Sequence, residues 1–439
     1  MNKLVELDAK KYDKYVKNHP TKSHFLQSYA WGEFAKKEKN QTPYYMGLVD
    51  SDNNILGTAL LLQKHLPFGY SYFYSPRGFV IDFTDQELLK EFTSEIVKFA
   101  KSKKGIFVKI DPDLIWNSEN YKGEKVEVEY NSKEIFDNLK RIGFKHLGFT
   151  KNFETNQPRY TFRIDMNKSL EEIEEAFSKT TKQRIAKAES LETKVRLGDS
   201  SDIALFYRLM ELTESRKDFV SHDLKYYQSL YEIYNKTNKM NLFIGSVDIK
   251  KIIKKYKKEK SEIDKEIKTF DDVENLSKSA KNKLNELIKK SDKLEKDINE
   301  YLSIHEKYKE DEMVLNGHVI MEYGDKAWVL YAGNHNELTS SYSNYKVYNE
   351  HIKYCHEHGI KMYDQFGTIG DLSSNNPRLG LHEFKKKFGG DYVEFIGEFD
   401  YIINPFMYFC FTKLVPLYRN IVKSIAKKNI KKSISKNEG

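Results

Sequence analysis

Apolar residues recur at steps of three and four through the charged stretch of residues 250–310. The positions of this seam are Ile249, Ile253, Tyr256, Ile263, Ile267, Phe270, Leu284, Leu287, Ser291, Leu294, Ile298 and Tyr301. Such steps form the heptad seam of a coiled coil, and the pattern breaks around residues 269–272. The pattern therefore predicts two helices that fold back on each other as an antiparallel coiled-coil hairpin.

The segments on either side of this arm have the pattern of strands. Residues 241–247 precede the arm and residues 317–323 follow it, and both runs are short and rich in apolar side chains. We expect them to be neighbouring strands of one sheet. The arm is then an insertion into a globular domain, and it does not join two domains.

Helical and extended patterns alternate through the rest of the chain, which predicts the α+β class. In the first part, helical patterns at 10–18, 27–38, 86–103 and 131–142 surround extended patterns at 43–49, 55–64, 70–74, 106–110 and 144–152. A similar order recurs from residue 159 and ends with a helix at 377–388 and a strand at 392–399. The predicted organisation is a first domain at 1–155, a second at 156–248 and 311–400, the arm at 249–310, and a C-terminal tail at 401–439.

Length, cysteine content and hydropathy limit the class of protein. The chain has 439 residues, enough for two or three hydrophobic cores, and only two cysteines, Cys355 and Cys410. Two cysteines cannot form a disulfide framework, and the first residues lack the apolar core of a signal peptide. No stretch is long and apolar enough to span a bilayer. We therefore expect a protein of the reducing cytoplasm.

Positive charge is concentrated at the C-terminus. The net charge is +8, and residues 413–439 contain eight basic residues against one acidic residue. Leu414, Leu417, Ile421 and Ile425 line one helical stripe of this tail, and lysines occupy the other faces. That pattern suits an anionic membrane surface, at the inner face of the plasma membrane. Packing of residues 414–421 on the body, followed by a lysine-rich end, accounts for the same pattern.

The sequence has no familiar catalytic signature. It contains no Gly-x-Ser-x-Gly elbow, no His-Glu-x-x-His and no Cys-x-x-Cys. His351 and Cys355 lie one turn apart on a predicted helix, but a metal site needs further ligands, so no metal is predicted. Nothing in the pattern indicates a protein nucleophile.

Several charged residues occupy unusual positions. Lys109 lies in an otherwise apolar strand, and Asp111 follows the carboxyl end of that strand, where open sheets bind ligands. An Asp before Pro is also a common turn former, so both interpretations of Asp111 stay open. Arg77 occupies a turn rich in Pro and Gly, and Lys385 lies at a helix end, where a cation also offsets the helix dipole.

Six segments together resemble the Fem family. They are Gln27-Ser-Tyr-Ala-Trp-Gly-Glu-Phe-Ala-Lys36, Tyr74-Ser-Pro-Arg-Gly-Phe-Val-Ile-Asp82, Lys109-Ile-Asp-Pro112, Gly143-Phe-Lys-His-Leu-Gly-Phe149, Phe384-Lys-Lys-Lys-Phe-Gly-Gly390 and Ile396-Gly-Glu-Phe-Asp400. The resemblance runs from about residue 20 to residue 420 in the family's order. Members of this family are non-ribosomal peptidyltransferases that use aminoacyl-tRNA to build the interpeptide branch of peptidoglycan.

The resemblance implies two tandem acetyltransferase-like domains, with the arm inserted in the second. It implies aminoacyl-tRNA and a lipid-linked peptidoglycan precursor as partners, no cofactor, and the precursor bound chiefly by the first domain. An aminoacyl ester is already activated, so the reaction needs alignment, a proton acceptor and charge stabilisation rather than a protein nucleophile. A catalytically silent relative that docks on RNA or membrane is the alternative.

The resemblance also assigns roles to individual residues. It implies that Asp111, Phe384 and Lys385 are catalytic: Asp111 matches the Asp of the family's Lys-Ile-Asp-Pro strand end, and the other two match its Phe-Lys pair. Asp111 would accept a proton from the acceptor amine or orient it. Lys385 would offset negative charge on the tetrahedral intermediate or on a tRNA phosphate.

Four further residues are implied to bind substrate. Lys36, Arg77 and Arg216 would hold the precursor diphosphate, for which arginine offers bidentate contacts. Tyr331 matches a tyrosine that lines the family's substrate site.

Overall fold

The computed structural model describes residues 2–216, 221–270 and 276–414. Its strands are β1 Lys3–Glu6, β2 Thr42–Val49, β3 Ile55–His65, β4 Ser71–Ser75, β5 Gly105–Ile110, β6 Ile115–Glu119, β7 Phe144–His146, β8 Tyr160–Asp165, β9 Lys194–Gly198, β10 Lys239–Asp248, β11 Glu312–Tyr323, β12 Lys326–Asn334, β13 Met362–Asp364, β14 Asp391–Phe395 and β15 Phe399–Ile402. Its α-helices are α1 Ala9–Asn18, α2 Tyr29–Lys39, α3 Gln86–Ser102, α4 Ser132–Arg141, α5 Leu170–Glu175, α6 Lys179–Ser190, α7 Ile203–Arg216, α8 Leu224–Tyr234, α9 Ile249–Ile267, α10 Lys278–Tyr308, α11 Ser343–Glu357, α12 Leu379–Lys386 and α13 Pro405–Phe409.

The described residues divide into two compact units. Unit 1 lies within Met1–Phe162, Gly367–His382 and Asp391–Gly439, and unit 2 lies within Arg163–Phe366 and Glu383–Gly390. The chain therefore leaves unit 1 after Phe162 and again after His382, and it returns to unit 1 at Gly367 and at Asp391.

Unit 1 is built on a sheet with the strand order β1-β2-β3-β4-β5-β15-β7. The neighbours β4 and β5 are parallel, and the other pairs are antiparallel. Parallel neighbours need a crossover connection, which α3 provides. The side of α3 that carries Leu89, Phe92 and Ile96 is fully buried against the apolar side chains of the sheet. This crossover fixes the carboxyl ends of β4 and β5 side by side.

Unit 2 contains a second sheet, in which β13, β12, β11, β10 and β9 are neighbours in that order. Residues 163–165 of β8 pair with β13 at one end of this series. Here β12 and β13 are the parallel pair, and α11 is their crossover helix. Apolar side chains of α11, including Val347 and Ile352, are fully buried in the core of the unit. Both units thus contain a parallel strand–helix–strand element, as the recurring sequence order suggested.

The arm is inserted between neighbouring strands, as predicted. Strand β10 leads into α9, α10 leads into β11, and β10 pairs with β11 along its whole length. Helices α9 and α10 contact each other through the rings of Tyr256 and Tyr301, whose centroids lie 5.9 Å apart. The ion pairs Lys260–Glu295 and Glu266–Lys283 join residues in opposite order along the two helices, so the helices are antiparallel. The connection at 271–275 lies outside the described residues, and the supercoil of a coiled coil stays a prediction.

The predicted domain boundaries differ from the structure near the C-terminus. Residues 392–399 were expected to close the second domain as its last strand. In the structure β14 pairs with β6, and β15 pairs with β5 and β7, so all of these residues belong to unit 1. The reason is pairing between segments almost 300 residues apart, which no local pattern encodes.

Several local predictions also differ. The extended pattern at 144–152 forms a strand only at β7, and the helix expected at 377–388 is shorter, at α12. The strands β1, β6 and β9 were not expected at all. The predicted C-terminal tail begins inside β15, whose last two residues are 401 and 402, and its later described residues form α13 and a π-helical turn at Cys410–Leu414. The rest of the predicted tail helix lies outside the described residues.

Candidate functional site

Asp111 follows β5 directly and lies at the carboxyl end of the parallel pair of unit 1. Its carboxyl group is almost fully buried, with 3% of the residue exposed. Oδ1 accepts a hydrogen bond of 2.7 Å from the backbone N–H of Arg77, and Oδ2 accepts one of 2.8 Å from the hydroxyl of Tyr74. The ends of β4 and β5 therefore meet at this carboxyl group.

The environment of Asp111 favours its protonated form. Burial, the largest cause, raises the pKa of Asp111 from 3.8 to about 7. The positive charge of Arg77 lowers the pKa, the negative charge of Glu398 raises it, and the hydrogen bond from Tyr74 lowers it. A carboxyl group with a pKa near neutrality can accept and release a proton under physiological conditions.

A buried ion cluster lies beside Asp111. Lys109 Nζ lies 2.9 Å from Asp400 Oδ1 and 3.1 Å from Glu398 Oε2, and all three side chains are at least 89% buried. The pairing follows from register, because Lys109 lies opposite Asp400 where β5 pairs with β15. Glu398 also accepts a 2.7 Å hydrogen bond from the backbone N–H of Asn156. The two carboxylate partners of Lys109 therefore account for a lysine in an otherwise apolar strand.

Two conservative substitutions should move the pKa of Asp111 in opposite directions. Glu398→Gln removes a negative charge that raises this pKa, so the pKa should fall. Tyr74→Phe removes a hydrogen bond that stabilises the carboxylate, so the pKa should rise. Carbon-13 NMR of aspartate carboxyl carbons measures both, with the signal assigned by its loss in Asp111→Asn.

The control for this pair is Glu394→Gln. Glu394 belongs to the same unit, but its described partners are Arg159 and Tyr160 rather than Asp111. Its replacement should leave the pKa of Asp111 unchanged. A rise in that pKa in Glu398→Gln would contradict the assigned electrostatics.

Arg77 is buried instead of lining an open surface. It adopts the left-handed backbone conformation, with φ of 54°, and only 4% of the residue is exposed. Its Nη2 donates a 2.6 Å hydrogen bond to the carbonyl of Pro158, and its guanidinium lies 4.2 Å from the ring centroid of Phe395. Arg77 therefore positions Asp111 through its backbone N–H and opposes the rise in pKa through its charge.

Lys36 is exposed on the last turn of α2. Its ammonium group is available to an anion, but no described contact brings it to the Asp111 cluster. The predicted diphosphate contact of Lys36 stays a prediction. Arg216 ends α7, and its side chain lies outside the described residues.

Lys385 lies on α12 and secures a turn at the carboxyl end of the parallel pair of unit 2. Its Nζ donates hydrogen bonds of 2.7 Å to the carbonyl of Gln365 and 2.9 Å to the carbonyl of Phe366. Asp364, the last residue of β13, accepts a 2.7 Å hydrogen bond from the backbone N–H of Phe366 and pairs with Arg163 at 2.9 Å. Phe366 has φ of 59°, a conformation that disfavours a large side chain.

Burial also changes the titration of Lys385. With 6% of the residue exposed, desolvation lowers the pKa of Lys385 from 10.5 to about 7, and the charge of Asp364 opposes this change. The side chain can therefore exchange a proton near neutral pH. Phe384 packs edge-on against Tyr345 and Tyr348, with ring centroids 5.0 and 4.9 Å away. Phe384 fixes α12 on the core and so orients Lys385.

Tyr331 belongs to an aromatic cluster of unit 2. Its hydroxyl lies 2.9 Å from the hydroxyl of Tyr226, and Tyr227 packs edge-on at 5.4 Å between ring centroids. The ring of His222 stacks on Tyr226 at 3.6 Å. Burial raises the pKa of Tyr331 well above its usual range, so its hydroxyl stays protonated at neutral pH.

His351 and Cys355, the pair that the sequence placed one turn apart, lie on α11. His351 and Cys355 are both fully buried, and His351 Nδ1 lies 3.1 Å from the hydroxyl of Tyr363. Among the described residues, no group of three or more His, Cys, Asp or Glu side chains is placed to hold an ion. In the same residues, no helix is both long and apolar enough to cross a membrane.

Sequence reasoning missed Tyr74, Glu398 and Asp364 as members of these clusters. Glu398 and Asp400 alternate in the segment Glu398-Phe-Asp400, which places both side chains on one face of an extended chain. This alternation was a usable signal for a partner of Lys109. Tyr74 is the next-to-last residue of β4 and Asp364 is the last residue of β13, and nothing local distinguishes them.

Known proteins match the chain over most of its length. The profile of the FemAB family matches residues 7–415. Relatives named lipid II:glycine glycyltransferase, from Staphylococcus aureus and its strain USA300, are 31% and 30% identical over 413 residues, covering 92% of this chain and 94% of each relative. A crystal structure of FemX, 29% identical, aligns with a TM-score of 0.72 and covers 92% of this chain and 98% of that one. The predicted α+β class is confirmed.

Proposed function

Because the chain belongs to the FemAB family, we propose that it transfers an aminoacyl group to the stem peptide of a lipid-linked peptidoglycan precursor and so builds the interpeptide bridge. The observation that carries this proposal is the match to lipid II:glycine glycyltransferases across 92% of the chain, which includes both units. The names of those relatives make glycine the first aminoacyl group to test. The proposed donor is aminoacyl-tRNA.

The proposed reaction is the aminolysis of an ester. The free amine of the acceptor attacks the carbonyl carbon of the aminoacyl ester, an amide C–N bond forms, and the ester C–O bond breaks. The proton lost by the amine finally resides on the released ribose oxygen. No cofactor takes part, because the ester is already activated.

Asp111 has the properties of the proton acceptor in this reaction. With a pKa of about 7, a substantial fraction of its side chain is ionised at neutral pH, and it can take a proton from the attacking amine. Its two described hydrogen bonds come from donors, and each carboxylate oxygen has a second lone pair for the amine. Arg77 and Tyr74 hold the carboxyl group in a fixed orientation.

Lys385 has the properties of a group that stabilises negative charge. In its ammonium form it would offset charge on the tetrahedral intermediate or on the tRNA, and its bonds to Gln365 and Phe366 hold it in place beforehand. Phe384 supports this position through the aromatic core. Lys36, Arg216 and Tyr331 are proposed to contact substrate.

The proposed location of the reaction follows from the acceptor. A lipid-linked precursor lies in a membrane, so we place the enzyme in the cytoplasm, in peripheral contact with the inner face of the plasma membrane. The lysine-rich tail supports this location through its charge.

The function is tested by transfer of radiolabelled amino acid from a mixed pool of charged tRNAs to purified lipid-linked pentapeptide precursor. We expect label in the precursor, and repetition with single charged tRNAs then identifies the amino acid. A parallel reaction with the UDP-linked precursor tests whether the lipid is required. Transfer to neither acceptor would favour the silent relative that docks on RNA or membrane.

A further inference from the structure

Two separate segments of unit 1 expose large apolar side chains around one small cluster. We call Phe68, Phe406, Phe409 and Leu414 the aromatic rim. These residues are 92%, 73%, 54% and 47% exposed, respectively. Phe68 lies in the loop between β3 and β4, and the other three lie on α13 and the turn that follows it. Soluble surfaces rarely gather large apolar side chains in this way without a partner.

The two segments contact the same apolar cluster. Leu66 and Tyr70, which flank Phe68, pack against the cluster that contains Phe107 and Tyr408. Phe411 packs on the rings of Tyr72 and Phe107 as well. The inward faces of both segments are thus fixed on one support, and the rim residues are held outward.

Phe68 is placed outward at a conformational cost. It has φ of 62° and is followed by Gly69 with φ of 74°, so two successive residues adopt the left-handed conformation. Glycine or asparagine adopts this conformation more readily than a bulky side chain. Almost the whole ring of Phe68 is in solvent, so its own unit does not compensate the cost by burial.

Positive charge adjoins the rim. Lys104 Nζ lies 3.9 Å from the position that a Cβ at Gly69 would occupy, next to Phe68. Lys413 is exposed between Phe409 and Leu414, and the chain beyond Leu414 contributes seven more basic residues against one acidic residue. Exposed aromatic rings with adjacent lysines suit a bilayer interface, where the rings enter the acyl boundary and the lysines meet anionic headgroups.

We propose that the aromatic rim inserts into the surface of an anionic lipid bilayer and anchors unit 1 there. The choice of a bilayer as occupant rests on the proposed function, whose acceptor carries a lipid. The rim goes beyond a contact made by the C-terminal tail, because it adds a folded apolar element from the loop between β3 and β4. The lysines of the tail would then attract the anionic headgroups, and the aromatic rim would insert into the acyl boundary.

The test is sedimentation of the full chain with vesicles of phosphatidylglycerol and phosphatidylcholine that contain no peptidoglycan precursor. Phe68→Asn suits the left-handed turn, so its melting temperature should equal or exceed that of the wild type. Loss of one ring from the acyl boundary should weaken the partition coefficient about tenfold. Phe406→Ser should act in the same direction, and the double variant should bind more weakly than either single variant.

Tyr121→Ser is the matched control. Tyr121 is a 46% exposed aromatic residue of the same unit, outside the cluster that supports the rim. Its replacement should leave vesicle binding unchanged. Substitution of the tail lysines by serine should weaken binding to anionic vesicles and reduce its dependence on salt.

Three outcomes would contradict the proposed insertion of the aromatic rim. They are the absence of wild-type binding to anionic vesicles, equal binding by wild type and the Phe68→Asn/Phe406→Ser variant, and binding that depends on the tail lysines alone. Because these vesicles contain no precursor, the result is independent of aminoacyl transfer. If the rim variants lose vesicle binding but the wild type transfers no aminoacyl group, the aromatic rim stands and the proposed function is rejected. If the rim variants bind vesicles like the wild type and the wild type transfers an aminoacyl group, the aromatic rim is rejected and the proposed function stands.

Discussion

Replacing Lys385 by methionine is expected to lower the rate of aminoacyl transfer by about 10²- to 10³-fold, the usual effect of removing a group that stabilises charge in the transition state. Methionine keeps an unbranched apolar side chain and removes the ammonium group. The two carbonyl groups of Gln365 and Phe366 then lose their donor. Measurement of kcat and KM for both substrates should place the loss chiefly in kcat.

The neighbouring lysine provides the control. Lys386 lies on the same helix and is exposed, so Lys386→Met should transfer at the wild-type rate. A Lys385→Met enzyme with wild-type kcat would reject the catalytic role. A fall in stability without a fall in kcat would leave Lys385 only the role of securing the turn at Phe366.

Stability as a function of pH gives a second measure of Lys385. Its pKa is about 7 in the folded protein and 10.5 when unperturbed, so between these values the folded chain binds fewer protons than the unfolded chain. The free energy of unfolding should therefore gain a contribution as the pH rises from about 7 to about 10.5. Lys385→Met should lack this contribution.

Local sequence patterns predicted most helices and strands. They also located one of the two candidate functional clusters, the one at the carboxyl end of β5. The arm, its insertion between β10 and β11, and the position of Asp111 after β5 all follow from periodicity and from the end of an apolar run. Asp111 lies at the end of one parallel pair, and Lys385 contacts the turn after the other. Open sheets place ligands at such carboxyl ends, so the recurring strand–helix–strand element explains the location of both clusters.

Long-range pairing accounts for what the sequence could not predict. The neighbours of Lys109 come from β15 and the residue before it, about 290 positions later, and no periodicity specifies that register. Because β14 pairs with β6 and β15 pairs with β5, residues 391–400 belong to unit 1 and not to the predicted second domain. Arg77 was expected to face a diphosphate, but its contacts with Pro158 and Phe395 depend on segments whose proximity only the fold reveals.

Asp111→Asn separates the two interpretations that the sequence left open. Asparagine retains an oxygen that can accept the hydrogen bond from Arg77, so a residue that only forms a turn should tolerate the change. It cannot accept a proton, so a catalytic base should not. We expect transfer to fall by about 10²- to 10⁴-fold, with the far-ultraviolet circular dichroism of the folded protein unchanged.

The rate of transfer by the wild type should also depend on pH through the ionisation of Asp111. Because the pKa values of Asp111 and Lys385 are both about 7, transfer should pass through a narrow maximum near pH 7, rising as Asp111 ionises and falling as Lys385 loses its proton. Glu398→Gln lowers the pKa of Asp111 and should move the acidic limb of the profile to lower pH. Tyr74→Phe should move it to higher pH.

Stability should respond to Asp111 in the sense opposite to Lys385. The pKa of Asp111 is raised from 3.8 to about 7, so the folded chain binds more protons than the unfolded chain in this range. Its contribution to the free energy of unfolding is complete below pH 4 and is lost as the pH rises to about 7, and Asp111→Asn should remove this decline. Near-normal transfer by Asp111→Asn would assign Asp111 to the turn alone and would require a different proton acceptor, while the proposed reaction itself would stand.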